Sequence, residues 1–236
     1  MLRRVLLACG LLALSTSAFA NDHITIPGLS QTNFNDLSDD LGAVTSYKQL
    51  EGSASEGITG FDLSLNAGTT QVGHQAAWQA ATGNSVSSVP FADVRVTKGL
   101  PLGFDIGGEY STVPGSNISL YGAEVRYAIL DGGIAEPAIG LRAGYTHLTG
   151  VDKLSFHTTS LDVSISKGFG PVTPYGGVGE VWTNSSPDTS TGLTSHNSSS
   201  SEVFAGVTFD LGVHLGLEWN HLAGNTTYTL KLGFGF

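Results

Sequence analysis

A two-residue alternation of apolar and polar side chains runs along most of this chain. Successive side chains of a β-strand point to opposite faces, so the alternation predicts strands with one apolar and one polar face. From Ile58 onward we find ten such segments, each close to the 9–11 residues that a tilted strand needs to cross a membrane. Their approximate positions are 61–67, 89–98, 102–112, 118–129, 138–147, 157–167, 173–183, 202–210, 213–220 and 227–236.

The distribution of charge indicates which solvent these strands face. Four segments carry two charges each, and in each segment the two share one face: Asp93 with Arg95, Asp105 with Glu109, Glu124 with Arg126, and Glu202 with Asp210. An Arg or Lys facing lipid costs about 2–4 kcal/mol at the bilayer midplane, so a membrane barrel requires this segregation. Only 13% of residues are charged, against about 25% in soluble domains. The alternative is a soluble β-sandwich that buries the apolar face.

We therefore predict an all-β fold, a transmembrane antiparallel up-and-down barrel of ten strands within a range of eight to twelve. Short links of turn residues alternate with a second set of links, which includes the two longest, at 69–88 and 184–201. Periplasmic turns are short and outer loops longer in such barrels. We expect the long links outside and both termini in the periplasm.

The first twenty residues predict a secretory signal peptide. A basic start at Arg3 and Arg4 precedes an apolar run, and Ala18-Phe19-Ala20 is a small-x-small cleavage site. We expect cleavage after Ala20 and delivery to the outer membrane of a Gram-negative cell. Cys9 follows Leu6-Leu7-Ala8, which leaves lipoprotein processing as an alternative.

Composition excludes some functions. Of ten basic residues two lie in the predicted signal peptide, which leaves eight against twenty acidic residues, a net charge of −12. Nucleic-acid binding requires a basic face, so we expect no nucleic-acid partner. Cleavage after Ala20 would remove Cys9, the single cysteine, and with it any disulfide or thiolate site. No cofactor and no metal site is predicted.

Residues 21–56 precede the barrel, whose predicted range is 57–236. Phe34, Leu37, Leu41 and Val44 recur with helical spacing, which predicts a helix over about 34–44. Such a segment could plug the barrel from below or cap its periplasmic mouth. It could equally be a flexible tail, since chain termini are commonly poorly ordered.

The polar faces of the strands predict a charged lumen. Its members are Asp62, Asp93, Arg95, Asp105, Glu109, Glu124, Arg126, Arg142, Asp162, Glu180, Glu202, Asp210, Glu218 and Lys231. Arg–carboxylate pairs are strong and often bidentate, so a closed lumen knitted by ion pairs is the first interpretation. The excess of carboxylates leaves a narrow cation-preferring channel as the second.

The histidines are the candidates for a site on the outer rim, namely His147, His157 and His221. His74 and His196 are placed on the same side, where Asp152 and Asp188 also lie. The omptin proteases resemble the chain in strand count and use Asp–His pairs, but no matching local motif is present. The lipid A 3-O-deacylases carry His-x-Ser-Asn, and here Ala223 stands where the nucleophilic serine is needed. These histidines can also be ordinary polar loop residues.

Several strings give the barrel a family resemblance. They are Gly57-Ile58-Thr59-Gly60-Phe61-Asp62, Lys98-Gly99-Leu100-Pro101, Gly122-Ala123-Glu124-Val125-Arg126-Tyr127-Ala128 and Ser166-Lys167-Gly168-Phe169. With these strings the chain resembles, over residues 30–236, an uncharacterised family of small Gram-negative outer-membrane β-barrel proteins. The resemblance implies a fold and a location, and no established activity.

We expect a monomeric, non-enzymatic barrel with a structural or surface-interaction role and no catalytic residue. The alternatives are a small-solute channel and a rim enzyme acting on lipid or peptide. Outer-membrane lipid is the expected surrounding. The assembly machinery is the expected partner of the C-terminal strand, which ends at Phe236.

Overall fold

The fold is a closed barrel of ten antiparallel strands in sequence order, with β1 paired to β10. The computed structural model describes residues 24–112, 118–133 and 135–236. The strands are β1 Phe61–Gln71, β2 Ser88–Gly99, β3 Phe104–Thr112, β4 Ser119–Leu130, β5 Ala138–Thr149, β6 Leu154–Ser166, β7 Val172–Pro187, β8 His196–Asp210, β9 His214–Leu222 and β10 Asn225–Gly235. The predicted fold class and strand number are confirmed.

The outer wall of the barrel is apolar, as the alternation predicts. We call the end at which β1 finishes the distal end, and the end that holds Phe236 the proximal end. Exposed aliphatic side chains such as Leu65, Val125 and Leu230 cover the middle of the strands. Exposed aromatic side chains flank them, on the distal side Tyr110, Tyr121, Tyr145, Trp182, Trp219 and Tyr228, and on the proximal side Phe104, Tyr127 and Phe234. Such a belt between two aromatic girdles matches a bilayer.

Two helices lie at the distal end. Helix α1 spans Gln31–Thr45. Its N-cap is Ser30, whose side-chain oxygen accepts from the Asn33 backbone N–H. It buries Phe34, Leu37 and Leu41, and it packs against α2, Gln75–Thr82, which lies in the β1–β2 link. The helix predicted at 34–44 is therefore present. In the described part of the chain no helix is long and apolar enough to span a membrane.

Beyond α1 the chain passes down through the inside of the barrel. We call residues 46–56 the plug. The Tyr47 carbonyl oxygen accepts from Arg142 near the middle of β5, at 3.0 Å. The Glu56 backbone N–H donates to Asp105 at the proximal start of β3, also at 3.0 Å. The plug then turns at residues 57–60 and enters β1.

The route of this segment differs from the expected one. Residues 24–30 lie at the distal end, where the Thr25 N–H donates to the Ala81 carbonyl in α2 at 2.9 Å. The described N-terminal segment thus enters from the distal end, and it is neither a cap on the proximal mouth nor a plug from below. The plug adds one crossing to the ten strands, so residue 24 and Phe236 lie at opposite ends. The predicted signal peptide 1–20 and its cleavage site lie outside the described residues.

One predicted long loop is mostly strand. Residues 184–187 extend β7 and 196–201 extend β8, so the connection shrinks to 188–195. The side chains of these extensions are polar on both faces of the strands. Without apolar residues on one face, the sequence shows no alternation of hydropathy that would predict a strand. The pairing of Leu154 with Pro187 shows that β6 extends to the same height. The predicted link at 113–117 lies outside the described residues.

Candidate functional site

The interior of the barrel is a buried charged network, and most of the predicted lumen residues belong to it. Eleven of them are buried: Asp62, Asp93, Arg95, Asp105, Glu124, Arg126, Arg142, Asp162, Glu202, Glu218 and Lys231. The Glu109 side chain is also enclosed, with 5% of its surface exposed. Their common face follows from strand geometry, since every second side chain points inward.

Two of the four basic residues form ion pairs only with carboxylates of the strand wall. The Arg95 guanidinium contacts Glu109 at 2.5 Å, and Arg142 contacts Asp162 through two nitrogens at 2.7 and 2.9 Å. Both Arg142 contacts reach the same Asp162 oxygen. Burial makes such charge-assisted pairs costly to break, because removal of one partner leaves a desolvated charge.

The other two basic residues share a partner in the plug. Glu51 pairs with both Arg126 and Lys231, the latter at 2.9 Å. Lys231 also contacts Asp62 at 2.9 Å, and Arg126 contacts Asp105 at 3.5 Å. Glu51 therefore joins β4 and β10 across the lumen. The role of Glu51 is not predictable from the sequence, because the plug has no periodic pattern that places its side chains.

Strand side chains also satisfy the plug backbone. Glu218 accepts from the Leu50 N–H at 2.8 Å and from the Tyr175 hydroxyl at 2.9 Å. Arg95 donates to the Lys48 carbonyl oxygen at 2.7 Å, and Arg126 to that of Ala54 at 3.0 Å. A segment without secondary structure can be buried only if its backbone polar groups find partners in this way.

Tyr47 fills the centre of the lumen. The Arg95 guanidinium lies over its ring, with Cζ 4.2 Å from the ring centroid. The Arg142 Cζ lies 5.7 Å from the same centroid. Both distances fall within the range of cation–π attraction. A Cβ atom at Gly144 would stand 3.1 Å from the Tyr47 Cβ, and one at Gly122 would stand 2.9 Å from its ring. These two glycines leave the space that the tyrosine occupies.

Two predicted lumen residues are placed differently. Glu180 faces outward, because it shares a strand face with the exposed Val178 and Trp182 while Val181 points inward. The prediction was wrong because the glycines of β7 left the strand register open, and the bulky Trp182 settles it. Asp210 has inward parity but lies at the proximal mouth with 73% of its side chain exposed, 3.9 Å from His214.

A buried carboxylate at the distal end holds α1 in place. Asp40 is fully buried and accepts from the His74 backbone N–H at 3.0 Å and from its Nδ1 at 2.8 Å. It also accepts from Trp78 Nε1 at 2.9 Å and from Asn225 Nδ2 at 3.0 Å. We call these four residues the Asp40 clamp. It ties α1 to α2 and to the β9–β10 hairpin.

The clamp changes the titration of His74. Partial burial lowers the pKa of its imidazole, but the hydrogen bond and negative charge of Asp40 raise it by more, with help from Asp36 and Asp39. The net pKa is raised above the usual value of about 6.5. The protonated, charged form is therefore favoured next to the buried carboxylate.

The predicted rim histidines separate into two groups. His147 and His157 are directly opposed across β5 and β6. His221 lies elsewhere, with Nδ1 3.1 Å from the Thr226 hydroxyl and its ring stacked on Trp219. His196 pairs with Asp39 of α1 at 2.9 Å.

Asp152 and Asp188, the carboxylates considered for an omptin-like pair, form no ion pair with a described histidine. Asp188 accepts from the Ser190 N–H in its own turn, which lowers the pKa of its carboxyl. Asp152 is exposed. The described residues contain no group of three or more His, Cys, Asp or Glu that could hold a metal ion.

A closed antiparallel barrel with an apolar outer belt, two aromatic girdles and a polar interior is an outer-membrane β-barrel. No family model and no curated protein matches the sequence. Several solved structures are similar. The N-terminal β-barrel domain of Pseudomonas aeruginosa OprF is 15% identical, with 74% of this chain and 97% of that chain covered and a TM-score of 0.39.

Two further similar structures are of outer-membrane proteins. The outer membrane protease OmpT from Escherichia coli is 11% identical, with 75% and 96% covered and a TM-score of 0.39. The outer membrane protein OprG from Pseudomonas aeruginosa is 11% identical, with 80% and 99% covered and a TM-score of 0.37. At these scores the likenesses add nothing to the class that the barrel itself defines.

Proposed function

We propose that this protein is a closed, non-enzymatic barrel of the Gram-negative outer membrane, with a structural or surface-interaction role at its distal end. The observation that carries the proposal is the plug. Residues 46–56 occupy the lumen along its length, and all four basic residues of the lumen network contact them.

The plug argues against an open cation channel. Ion conduction needs a continuous wet path with sites that bind ions weakly. Here Glu51, Tyr47 and the plug backbone take up the charged groups that would line such a path. Removal of the plug would expose an acidic interior, so a leak through this barrel would favour cations.

The rim histidines also support a non-enzymatic role. A His–Asp pair at hydrogen-bond distance is the minimum for a general base, and the described residues contain three such pairs. In the proximal pair, His214–Asp62, the aspartate is also bound to Lys231. The two distal pairs are His74–Asp40 and His196–Asp39. In both, the aspartate belongs to α1 and also holds other groups of the fold: Trp78 and Asn225 for Asp40, and Ser198 for Asp39. Attachment of α1 accounts for both pairs.

The distal extension of β7 and β8 supports a surface role. Its outward side chains are polar: Asn184, Ser186, Asn197, Ser199 and Ser201. Strand β9 ends at Leu222, which pairs with Glu202, so residues 196–201 of β8 lie beyond the β9 ladder. A rigid polar surface of this kind suits contact with other molecules better than chemistry.

A single-channel recording tests the proposal. The protein that begins after Ala20 is refolded, inserted into planar bilayers and compared with Ser38→Cys/Ser185→Cys, whose parent hydroxyl oxygens lie 2.9 Å apart. A disulfide there would tether α1 to β7 and prevent movement of the plug. We expect no conductance above background for either protein, oxidised or reduced.

The matched pair makes a negative result interpretable. Stepwise conductance in the wild type that disappears in the oxidised double variant and returns on reduction would identify a plug-gated channel, and the closed-barrel proposal would be abandoned. Steps in both forms would mean that the lumen is open despite the plug, with the same consequence. Heat-modifiable migration on gels verifies that each barrel is folded.

A further inference from the structure

Two histidines stand side by side on the outer wall near the distal end. His147 of β5 and His157 of β6 are directly opposed in the strand register. Both share the outward face of their strands, with Tyr145 preceding His147 by two residues and Leu161 following His157 by four. Opposed residues of antiparallel strands have Cβ atoms about 4.5–5.5 Å apart, so the two imidazoles can converge on one point.

These two rings differ from the other histidines. His74, His196, His214 and His221 each have a hydrogen-bond partner. Among the residues that the structure describes, His147 and His157 form no hydrogen bond or ion pair. The Tyr145 ring lies beside the His157 ring, with 5.7 Å between the ring centroids. Their ring nitrogens are therefore available to a ligand.

The neighbouring strands add a further donor. Asn184 of β7 is directly opposed to His157, and Tyr121 of β4 is directly opposed to His147. Asn184, His157, His147 and Tyr121 thus form one row across four strands. The row provides two imidazoles, an amide oxygen and a phenol, with no carboxylate among them.

The row lies where an aqueous ion can reach it. His147 is two residues distal to Tyr145 in the distal aromatic girdle, and both histidines are partly exposed. Side chains beyond this girdle meet water and lipid headgroups rather than acyl chains. A hydrated cation can therefore approach from the distal side without crossing the belt.

We infer that His147 and His157 form a cross-strand chelating site for a divalent transition-metal ion of the Zn²⁺ and Cu²⁺ class. Neutral imidazole is the ligand that these ions prefer, whereas Mg²⁺ and Ca²⁺ require oxygen ligands. The two imidazoles bind the ion, the Asn184 amide oxygen supplies a third ligand, and water completes the coordination. The rigid barrel presets the spacing of the rings, so binding requires little ordering of the chain.

Zinc titration tests the site. The untagged protein that begins after Ala20 is refolded in detergent and titrated with ZnCl₂ by calorimetry at neutral pH, alongside His147→Ala, His157→Ala and the double variant. We expect one Zn²⁺ per barrel. Each single variant should bind at least about tenfold more weakly, because a chelate becomes a single imidazole ligand. His221→Ala is the matched control, since it removes a distal, outward histidine from outside the row.

A spectroscopic signature distinguishes the pair from scattered surface binding. Cu²⁺ added at one equivalent should give an electron paramagnetic resonance spectrum with two coupled nitrogens, and the double variant should lose it. An unchanged zinc isotherm in the double variant would overturn the proposal. So would an equal loss in His221→Ala, or the absence of zinc binding in the wild type. The alanines face outward, and circular dichroism verifies that the variants fold.

Discussion

At the scale of single residues, the buried Asp40 carboxylate is the centre of the hydrogen-bond network that holds α1 at the distal end. Its two oxygens accept from four donors in two other segments, the β1–β2 link and the start of β10. Asp39, its neighbour, pairs with His196 at the surface, where 31% of the aspartate side chain is exposed. Because only Asp40 is buried, the two adjacent carboxylates should contribute very differently to the free energy of unfolding.

We predict that Asp40→Ala lowers the free energy of unfolding by about 3 kcal/mol or more, since each buried donor left unpaired costs roughly 1–3 kcal/mol. Trp78 loses its acceptor, so its fluorescence should shift in the same variant. The measurement is urea unfolding in detergent followed by tryptophan emission. Asp39→Ala is the control and should cost less than about 1 kcal/mol, as exposed ion pairs do. Equal losses in both variants would contradict the argument from burial.

Single residues also show what the sequence could predict. Strand parity placed Arg95, Arg142 and Asp162 inside, because an inward position follows from any correct register. The partner that Arg126 and Lys231 share could not be predicted, because Glu51 lies in the aperiodic plug. Glu180 went wrong for a related reason, since glycines at 176, 177 and 179 of β7 leave the register unmarked.

At the scale of elements, the plug and the wall are complementary in shape. Tyr47 occupies space that Gly122 and Gly144 leave open on β4 and β5. The two-residue alternation predicted both strands, and the helical spacing of apolar residues predicted helix α1 at nearly its observed bounds. The fit between plug and wall could not be predicted, because it depends on contacts between segments far apart in the chain.

We predict that Gly144→Ala destabilises the barrel by about 1–3 kcal/mol, the usual cost of overpacking. The added Cβ would lie 2.6 Å from the Ser160 Oγ and 3.1 Å from the Tyr47 Cβ. Gly133→Ala is the matched control, because a Cβ there meets nothing within 4 Å. Thermal unfolding monitored by loss of heat-modifiable migration gives the comparison. If the two variants unfold at the same temperature, the plug does not pack as tightly as we describe.

At the scale of the whole molecule, the barrel has an odd number of chain crossings. Ten strands were predictable from ten alternating segments, and from these alone both chain ends would lie on one side. The plug supplies the eleventh crossing and places residue 24 and Phe236 at opposite ends of the barrel. Its sequence carries no periodic hydropathy signal, because its backbone bonds to side chains of the lumen rather than to a regular ladder.

We predict that a cysteine at position 25 is labelled by a membrane-impermeant maleimide on intact cells. Thr25 is exposed at the distal end, which we expect to face outward because periplasmic turns are the short ones in such barrels. Glu136→Cys, in the exposed proximal link between β4 and β5, is the control and should react only after the cells are lysed. The reverse labelling pattern would show that the barrel is inserted the other way, and labelling of neither on intact cells would contradict the route of the plug.

The pairing of β1 with β10 closes the wall around a segment that is already inside it. Because the plug continues directly into β1, threading it into a finished cylinder would require residues 24–45 to pass through a bore so narrow that Tyr47 fills its centre. The seam between the first and last strands is therefore the step at which the protein becomes topologically committed. Before the seam forms, the N-terminal segment can lie along the open sheet as a template, and afterwards it is trapped. The connectivity therefore requires that the plug is in place before β1 pairs with β10, so this pairing is the last step of barrel assembly.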